Sequence, residues 1–556
     1  MDGEKKGPER GGGRAVHWAD ETAEKIIRER GGDGTRDHYT CASGITPSGT
    51  VHIGNFREII SVDLVVRALR DRGEKVRFIY SWDDYDVFRK VPPNMPKQEE
   101  LRSYLRFPIT MVPDPWDRDE SYARHHELDV ETLLPQVGIN PEYLYQAQNY
   151  RSSKYAGEIR RALEHRDALR EILDRFRDGD HKIQGPWWPI SAFCGNCNRD
   201  ETDIDRWDGE WAVDYHCNAC GHRERADLRE ARGIKLGWRV DWPMRWAWEE
   251  VDFEPAGKDH HTQGGSFETG RLVCRELYGR EAPVSFRYDF IGIKGSAGKM
   301  SSSSGQVITL GDLLRVYTPE LTRYLFAGTR PNTEFTISFD LDVIKIYEDY
   351  DKTERIAWGD EKAKDEGAFL REKRIYELSQ VRGGMPALKP YQVPFRHLCN
   401  LIQIADGDIG RTIAGIREKD PGKAAGGSSH LEEEQIPGLE ARCRRAKYWV
   451  EECAPEEFKF RLRPAGGKAP PASLDEREKA GIRLLREEVA SVLASFGDDK
   501  SCAEAIYRTA EKAGLEGKEL FRAAYRVLIG KDQGPRLANF LRSIDRDRLM
   551  ELLAGY

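Results

Sequence analysis

Hydrophobic positions follow two different periods in the first part of this chain. Segment 38–43 is rich in β-branched and aromatic residues, which predicts a buried strand. From Phe56 to Leu69 the apolar residues recur every three or four positions, which predicts a helix that Gly73 ends in a left-handed turn. Segment 76–80 predicts a second strand. This alternation of strand and helix is typical of an α/β domain with a parallel sheet.

The same reading extends along the rest of the chain. Helices are predicted over 17–29, 121–134, 151–176 and 266–277, and the sheet is predicted to resume with strands at 237–246 and 284–293. From residue 310 onward the apolar stripes have helical spacing. We therefore expect an α/β half followed by an all-helical half.

Length and charge set broad bounds. A chain of 556 residues exceeds one hydrophobic core and predicts three or four domains. Its first residues contain no apolar signal region and no apolar run approaches a membrane span, so a cytoplasmic protein is expected. The net charge of −8 neither supports nor excludes RNA binding through local basic patches.

Four of the ten cysteines form two C-x-x-C pairs separated by about twenty residues. Such spacing is typical of a zinc ribbon rather than of a disulfide framework, and four thiolates leave no open position on the metal. We therefore expect a structural Zn²⁺; iron is the weaker alternative. The ligands are predicted to be Cys194, Cys197, Cys217 and Cys220.

The turn between the first strand and the first long helix is a candidate anion site. Its glycines let a ligand approach the backbone, and the helix start directs N–H groups toward it. His52 is placed to donate a hydrogen bond to a phosphoryl oxygen that gains charge during reaction. Far downstream, the strand at 284–293 leads into a loop with two lysines and several serines, which favours phosphate binding.

Three acids and two aromatic residues follow the second strand, at segment 81–86. One interpretation is a solvated acidic loop. The other is a pocket for a cationic side chain, formed by carboxylates and aromatic rings at the carboxyl end of a parallel strand. The acids are Asp83, Asp84 and Asp86.

The pair His52-Ile53-Gly54-Asn55 and Lys299-Met300-Ser301-Ser302-Ser303 resembles the two signatures of class I aminoacyl-tRNA synthetases. Asn55 stands where the family has a second histidine, and Ser302 where it has a second lysine, so Lys299 has to supply more of the charge. The resemblance implies that His52, Asn55, Lys299 and Ser302 are catalytic. It implies ATP contacts by His52, Gly54, Asn55, Lys299 and Met300, and by Gly257 and Asp259 of a Gly-x-Asp-His element. Without the resemblance, Asp259 would be read as the cap of the next helix.

Segments 44–49, 81–86, 238–243 and 257–260 narrow the resemblance to class I lysyl-tRNA synthetases. It implies ligation of L-lysine to tRNA(Lys) through a lysyl-adenylate, with ATP and Mg²⁺, and neither DNA nor a membrane as partner. Asp83, Asp84 or Asp86 would neutralise the ε-ammonium group. The implied lysine-binding residues are Gly44, Thr46, Asp83, Asp84, Trp238, Trp242, His260 and Tyr288.

The resemblance also implies a domain order. A tail (1–16) precedes a Rossmann-type first half (17–96), a connective insertion with the zinc ribbon (97–232) and a Rossmann second half with the lysine-serine loop (233–309). A helical linker (310–385) and an α-helical anticodon-binding region (386–556) follow. Basic residues of this last region, among them Arg442, suit either RNA contact or solvated helix faces.

Three rival functions remain. A glutamyl or cysteinyl synthetase would share the architecture, but the acidic pocket disfavours an anionic substrate and the closed Cys₄ site disfavours thiol ligation. A small nucleotidylyltransferase would lack the helical half. A noncatalytic zinc-ribbon RNA-binding protein would not need two phosphate loops.

Overall fold

The computed structural model describes residues 15–31, 37–294, 307–418, 431–464, 473–494 and 499–556. The chain divides into two compact units. The first comprises Met1–Leu314, Pro319–Ile337 and Thr353–Met385, and the second comprises Arg315–Thr318, Ser338–Lys352 and Pro386–Tyr556.

The elements alternate between strand and helix in the first part of the chain and are helical in the last part. Up to residue 294 they are α1 Trp18–Arg30, β1 Tyr39–Ile45, α2 Ile53–Asp71, β2 Val76–Trp82, α3 Gln98–Ser103, α4 Tyr122–Glu131, β3 Glu142–Tyr145, α5 Gln146–Arg151, α6 Ala156–Glu164, α7 Arg166–Asp174, β4 Ile190–Ala192, β5 Thr202–Trp207, β6 Ala212–Cys217, β7 Arg223–Asp227, β8 Ile234–Leu236, α8 Trp238–Trp248, β9 Val251–Phe253, β10 Ala256–Gly257, α9 Ser266–Tyr278, β11 Arg287–Tyr288 and β12 Ile291–Ile293.

From residue 307 onward one short strand is described among helices. The elements are α10 Leu310–Val316, α11 Pro319–Ala327, β13 Phe335–Ile337, α12 Asp342–Trp358, α13 Glu366–Ser379, α14 Phe395–Ile404, α15 Ile409–Glu418, α16 Ile436–Tyr448, α17 Glu476–Ala494, α18 Asp499–Lys512, α19 Gly517–Ile529, α20 Leu537–Ser543 and α21 Arg546–Leu553.

A four-stranded parallel sheet in the order β3-β2-β1-β9 organises the first unit. Two further parallel pairs, β10 with β11 and β12 with β13, follow along the chain. Since parallel strands present their carboxyl ends at one edge, residues that follow β1 and β2 lie close together. The α/β, Rossmann-type fold predicted from the sequence is confirmed.

Helix α2 has an apolar face buried against this sheet, as its spacing predicts. Ile53, Ile60 and Leu64 are fully buried, and the helix ends before Gly73, whose φ is +84°. A φ in this left-handed region favours glycine because glycine has no side chain to clash. The predicted helix stop is therefore correct.

Two strand predictions were wrong. Segment 237–246 does not continue the sheet, because Trp238–Trp248 is a helix. Trp238, Val240 and Trp242 are spaced two residues apart, as on one face of a strand. Trp238 and Trp242 also lie one helical turn apart, and their stacked rings have centroids 5.2 Å apart. Segment 284–293 is not one strand but two short ones, β11 and β12, which pair with different partners.

The insertion between β3 and β9 holds an antiparallel three-stranded sheet, β5-β6-β7, and a separate β4-β8 pair. One C-x-x-C turn precedes β5 and the other connects β6 to β7, as expected of a ribbon.

The second unit is helical, as predicted. Its main core is formed by apolar residues of α17 to α21, and Leu485, Leu520, Leu528, Leu541 and Leu553 are all fully buried. Among the described helices, none is long and apolar enough to cross a bilayer.

Candidate active site

The first signature forms the start of α2, directly after β1. His52 is the N-cap residue, and its Nδ1 accepts a hydrogen bond from the Gly54 backbone N–H at 3.1 Å. The side-chain Oδ1 of Asn55 accepts in turn from the His52 backbone N–H at 3.2 Å. Because Nδ1 is an acceptor, the neutral imidazole carries its proton on Nε2, and the other end of the Asn55 side chain is an amide donor. The helix start therefore carries donors suited to a phosphate.

Gly54 is required by this geometry. A Cβ at position 54 would lie 2.8 Å from Cε1 of His52, closer than real side chains allow. Any larger residue would displace the histidine ring, so the glycine of the signature keeps His52 in its capping position.

The segment that follows the lysine-serine loop returns to the same helix start. The backbone N–H of Ile53 donates to the carbonyl oxygen of Ile308 at 2.8 Å. On the other side of the loop, β12 ends at Ile293 and Lys294 donates to the carbonyl of Ile337. Three predicted site residues of the loop lie outside the described residues: Lys299, Met300 and Ser302.

Asp83, after β2, already has a cationic partner. Its carboxylate lies 2.6 Å from the guanidinium of Arg245, which also pairs with Asp241 at 3.1 Å. Burial nevertheless raises the pKa of Asp83 above its usual value, with Asp86 and Asp241 adding to the effect of burial and Arg245 opposing it. This part of the site therefore retains an excess of negative charge.

The other two acids of the segment also have partners. Asp86 pairs with Lys235 at 2.7 Å and accepts a hydrogen bond from the hydroxyl of Thr46 at 2.9 Å. Asp84 is buried and accepts from the backbone N–H of Ala147 at 2.7 Å, while burial raises its pKa to about 7. The interpretation of this segment as a solvated acidic loop was wrong for Asp84, which is buried. It does not fit Asp83 and Asp86 well, because both pair with cationic side chains.

The indole rings of α8 form one wall. Trp242 stacks on Trp238 and lies 5.6 Å from the ring of His260, measured between centroids. The indole N–H groups of Trp242 and Trp246 both donate to the buried carboxylate of Glu254, at 3.0 and 2.7 Å. Burial raises the pKa of Glu254 to about 7. The tryptophans are thus fixed by a carboxylate and not only by apolar packing.

Tyr288, Gly44 and Gly257 lie together at the ends of their strands. The hydroxyl of Tyr288 donates to Glu58 of α2, and the same carboxylate accepts from the Gly44 backbone N–H at 3.2 Å and from the Ser43 hydroxyl at 2.8 Å. A Cβ at Gly257 would lie 3.5 Å from the Tyr288 ring. Burial raises the pKa of Glu58.

Asp259 is exposed, and α9 is capped by Gly265 rather than by Asp259. The alternative reading of Asp259 as a helix cap was therefore wrong. His260 is half-buried and bonds through Nδ1 to the Ser266 hydroxyl at 3.0 Å, so it is not a free surface histidine.

Four residues of the site were not anticipated from the sequence: Glu58, Lys235, Arg245 and Glu254. Glu58 follows Asn55 by one helical turn. A charged residue beside the buried stripe of α2, on the side of the signature, could have indicated a role in the site. Arg245 follows Asp241 by four positions, but that pairing is visible only once the segment is known to be a helix. Nothing in the pattern around Glu254 distinguishes it from an exposed loop residue.

Carboxylates outnumber cations in this pocket. The two cations are Arg245 and Lys235, and they pair with Asp83, Asp241 and Asp86. Within the described part of the chain, no lysine or arginine pairs with Glu58 or with Glu254. Buried carboxylates without cations are unfavourable, so the pocket is suited to a positively charged ligand.

The four cysteines of the insertion converge. Their sulfur atoms lie within 4.8 Å of one another, with 3.7 Å between Cys194 and Cys220 and 3.6 Å between Cys197 and Cys217. Sulfurs at about 2.3 Å around a tetrahedral Zn²⁺ are about 3.8 Å apart, so the four residues fit that ion. The side chain of Asn196 donates to the Cys220 sulfur, as expected around a thiolate.

The second unit contains a groove of about 1120 Å³. Most of the charged residues along it are basic, and aromatic rings of Tyr391 and Phe458 lie among them. The basic residues are Arg396, His397, Lys459, Lys531, Arg536 and Arg542. Arg442, in contrast, is mostly buried and pairs with Asp351, so its reading as an RNA contact was wrong.

Comparison with known proteins places this geometry in context. A family model described as tRNA synthetases class I (K) matches residues 16–382. A protein of Treponema pallidum (strain Nichols) named lysine–tRNA ligase is 54% identical over 544 residues, which cover 98% of this chain and 99% of the relative. Proteins of the same name from Borreliella burgdorferi and Thermococcus kodakarensis are 49% and 43% identical, over 98% and 97% of this chain and 100% and 99% of their own lengths.

Proposed function

Since the chain belongs to the family of class I lysyl-tRNA synthetases, we propose that its acidic pocket binds L-lysine beside an ATP held at the start of α2. The chain is an ATP-dependent lysine–tRNA ligase. The observation that carries the assignment of the pocket is its charge: among the described residues, the carboxylates of Glu58 and Glu254 have no lysine or arginine in an ion pair with them, and lysine brings ammonium groups. A glutamyl enzyme would place an anionic side chain against the same acids.

Activation requires a carboxylate oxygen of lysine to attack the α-phosphorus of Mg-ATP, while the bond to pyrophosphate breaks. Such a reaction depends on positioning and charge stabilisation rather than on a protein nucleophile. We assign His52 and Asn55 to the reacting phosphate, because both stand at the positively polarised start of α2 with donors available. Lys299, with Met300 and Ser302, is proposed to hold the departing pyrophosphate.

The ribose and adenine of ATP are assigned to Gly54, Gly257 and Asp259. Gly257 lies against the ring of Tyr288, and Asp259 is exposed two residues after the end of β10. The 3′ adenosine of tRNA(Lys) would then attack the carbonyl carbon of the adenylate, and AMP would leave.

Lysine is assigned to the surface formed by Gly44, Thr46, Trp238, Trp242, His260 and Tyr288. A Cβ at Gly44 would lie 2.8 Å from the carbonyl oxygen of Ser81, so only glycine fits there. Asp83 and Asp84 supply negative charge, and Arg245 fixes Asp83 at a set depth. A shorter cationic chain would hold its ammonium group farther from these acids, which favours lysine over ornithine.

The Cys₄ cluster is proposed to hold a structural Zn²⁺. Cys194, Cys197, Cys217 and Cys220 would fill its four positions, and the ion would supply a crosslink between two turns rather than chemistry. Chelation should therefore lower the melting temperature before it affects the lysine affinity of the folded enzyme.

The groove in the second unit is proposed to contact the anticodon part of tRNA(Lys). Its five lysines and arginines suit phosphates, and Tyr391 and Phe458 suit unstacked bases. Two further expectations remain predictions. They are the domain limits at residues 97, 233, 310 and 386, and a cytoplasmic location.

Pyrophosphate exchange with each of the twenty amino acids, with and without tRNA, tests the function. Lysine alone should support exchange, and His52→Ala should remove most of it with the fold intact by circular dichroism. Exchange supported by glutamate and not by lysine would refute the proposal.

A further inference from the structure

Arg57 is a buried cation whose hydrogen-bond partners, among the described residues, are all backbone carbonyls. It lies on α2 two residues after Asn55, and only 2% of its surface is exposed. Among the described residues, no acid lies within ion-pairing distance of its guanidinium, and burial lowers the pKa of this group to about 10. Keeping a charge buried in this way is unfavourable unless its hydrogen bonds are well satisfied.

Five backbone carbonyls satisfy this guanidinium. One nitrogen donates to the carbonyls of Asp289 and Phe290, at 2.7 and 3.0 Å. The other donates to the carbonyls of Arg330, Pro331 and Thr333, at 3.1, 2.7 and 2.7 Å.

These carbonyls belong to two segments that precede paired strands. Asp289 and Phe290 come directly before β12, and Arg330 to Thr333 come shortly before β13. The two strands pair in parallel, with Ile291 opposite Phe335. Arg57 therefore attaches the entry of this strand pair to the helix that carries His52 and Asn55.

We propose that Arg57 is a positioning residue for lysine activation, which sets β12 at a fixed distance from the catalytic start of α2. This inference deepens the proposed function and rests on it. The guanidinium is rigid and planar, and it donates to both segments at once. A lysine at the same position could reach one segment only, because its ammonium is a single donor centre.

The expected consequence concerns the rate of activation rather than binding of the substrates. The wall residue Tyr288 is separately held by Glu58, so the pocket for lysine keeps its shape when Arg57 is changed. The substitution changes the distance and orientation of β12 relative to the start of α2. Misplacement by about 1 Å at a reacting group costs on the order of 10²-fold in rate.

Arg67→Lys is the matched control. Arg67 lies on the same helix, is largely buried and also donates to backbone carbonyls, those of Gly138, Gln380 and Val381. Unlike Arg57, it also pairs with a carboxylate, that of Asp63 at 2.8 Å. None of these carbonyls belongs to β12 or to the residues before it. Both substitutions remove comparable buried hydrogen bonds, so they should lower the melting temperature by similar amounts.

The test measures lysine-dependent pyrophosphate exchange, and then single-turnover transfer from preformed lysyl-adenylate to tRNA. Arg57→Lys should lower kcat for exchange by about 30- to 100-fold, with KM for lysine and ATP within about threefold of wild type. Transfer from the preformed adenylate should remain near the wild-type rate. Arg67→Lys should keep both rates within about twofold.

Equal losses of exchange in the two variants, or equal losses of exchange and transfer in Arg57→Lys, would assign Arg57 a merely structural role. An unchanged exchange rate in Arg57→Lys would also overturn the inference. Should that variant not fold, Phe335→Leu, which removes the ring 5.3 Å from the guanidinium, should give a smaller loss of the same kind. A wild-type enzyme that forms no lysyl-adenylate would refute the proposed function instead.

Discussion

The acidic pocket of the first unit and the helical core of the second unit contain opposite kinds of groups. The core around Leu485, Leu520 and Leu528 is apolar, and its burial stabilises the fold directly. The pocket contains the carboxylates of Glu58 and Glu254, whose pKa values are raised by desolvation. Desolvation disfavours the ionised form of a carboxyl group unless a cation is close to it.

This difference separates stability from function. In the core, the buried leucines pack within one cluster of apolar side chains. In the pocket, two carboxylates accept hydrogen bonds only from neutral donors, so a cationic ligand improves their environment. A region that is unfavourable by itself and favourable with a ligand is expected of a binding site.

The largest effect is expected from Glu58→Gln. It should lower kcat/KM for lysine in exchange by about 10²-fold, because the neutral amide cannot neutralise an ammonium group. Its melting temperature should be unchanged or higher, since the substitution removes a buried charge. If Glu58→Gln lowered stability and activity together, the pocket would serve stability as the core does, and the distinction between the two regions would be refuted.

Glu254→Gln serves as the control within the pocket. The two indole N–H groups donate to different oxygens of Glu254, so glutamine removes the charge and keeps an acceptor for only one of Trp242 and Trp246. Comparable losses of lysine affinity in the two variants would show that the carboxylates act together on the substrate.

An intermediate effect, on stability and not on activity, is expected from Leu528→Ala in α19. The side chain is fully buried, so its truncation should lower the free energy of unfolding by about 2–5 kcal/mol. Exchange at a temperature where the variant is folded should remain near wild type. Denaturant unfolding and exchange assays on the same sample check both statements.

The smallest effect is a dependence of lysine affinity on pH. The pKa of Glu254 and that of Asp84 are both raised to about 7, so these groups lose protons as the pH rises from 6 to 8. Because the deprotonated forms attract an ammonium group, KM for lysine should fall by about threefold to tenfold over this range. Glu254→Gln should flatten the profile, and a KM that rises with pH would contradict the charge assignment.

The same groups affect stability with a defined sign. A carboxyl whose folded-state pKa of about 7 exceeds its unfolded value near 4 binds more protons in the folded state between those values. Their contribution to the free energy of unfolding therefore falls as the pH rises from about 4 to 7, and is constant above that range. Bound lysine should make the free energy of unfolding decrease less over this pH range, because its ammonium group stabilises the ionised carboxylates.

The parts of the site that depend on local spacing were predictable. The signature at His52 and Asn55 follows from a strand, a turn and a helix that are contiguous in the chain. The Cys₄ cluster follows from two short spacings on turns. Each of these features depends on neighbours within a few residues, which is the range over which periodicity and turn chemistry are informative.

The parts that depend on distant contacts were not predictable. Tryptophan alternation at 238–242 fitted a strand and a helix equally, and packing against Glu254 and His260 selected the helix. Likewise, the sequence could not show which acids have cationic partners, because Arg245 and Lys235 lie about 150 residues beyond Asp83 and Asp86.

The sequence by itself determined an α/β part followed by a mainly helical part, the Cys₄ cluster and the class of reaction, since these are encoded in local residue patterns. The tertiary structure alone decided the charge balance of the pocket and the role of Arg57. Both result from side chains of distant segments sharing one low-dielectric space, where ionised groups are favourable only with partners. No local pattern reports which partners meet there.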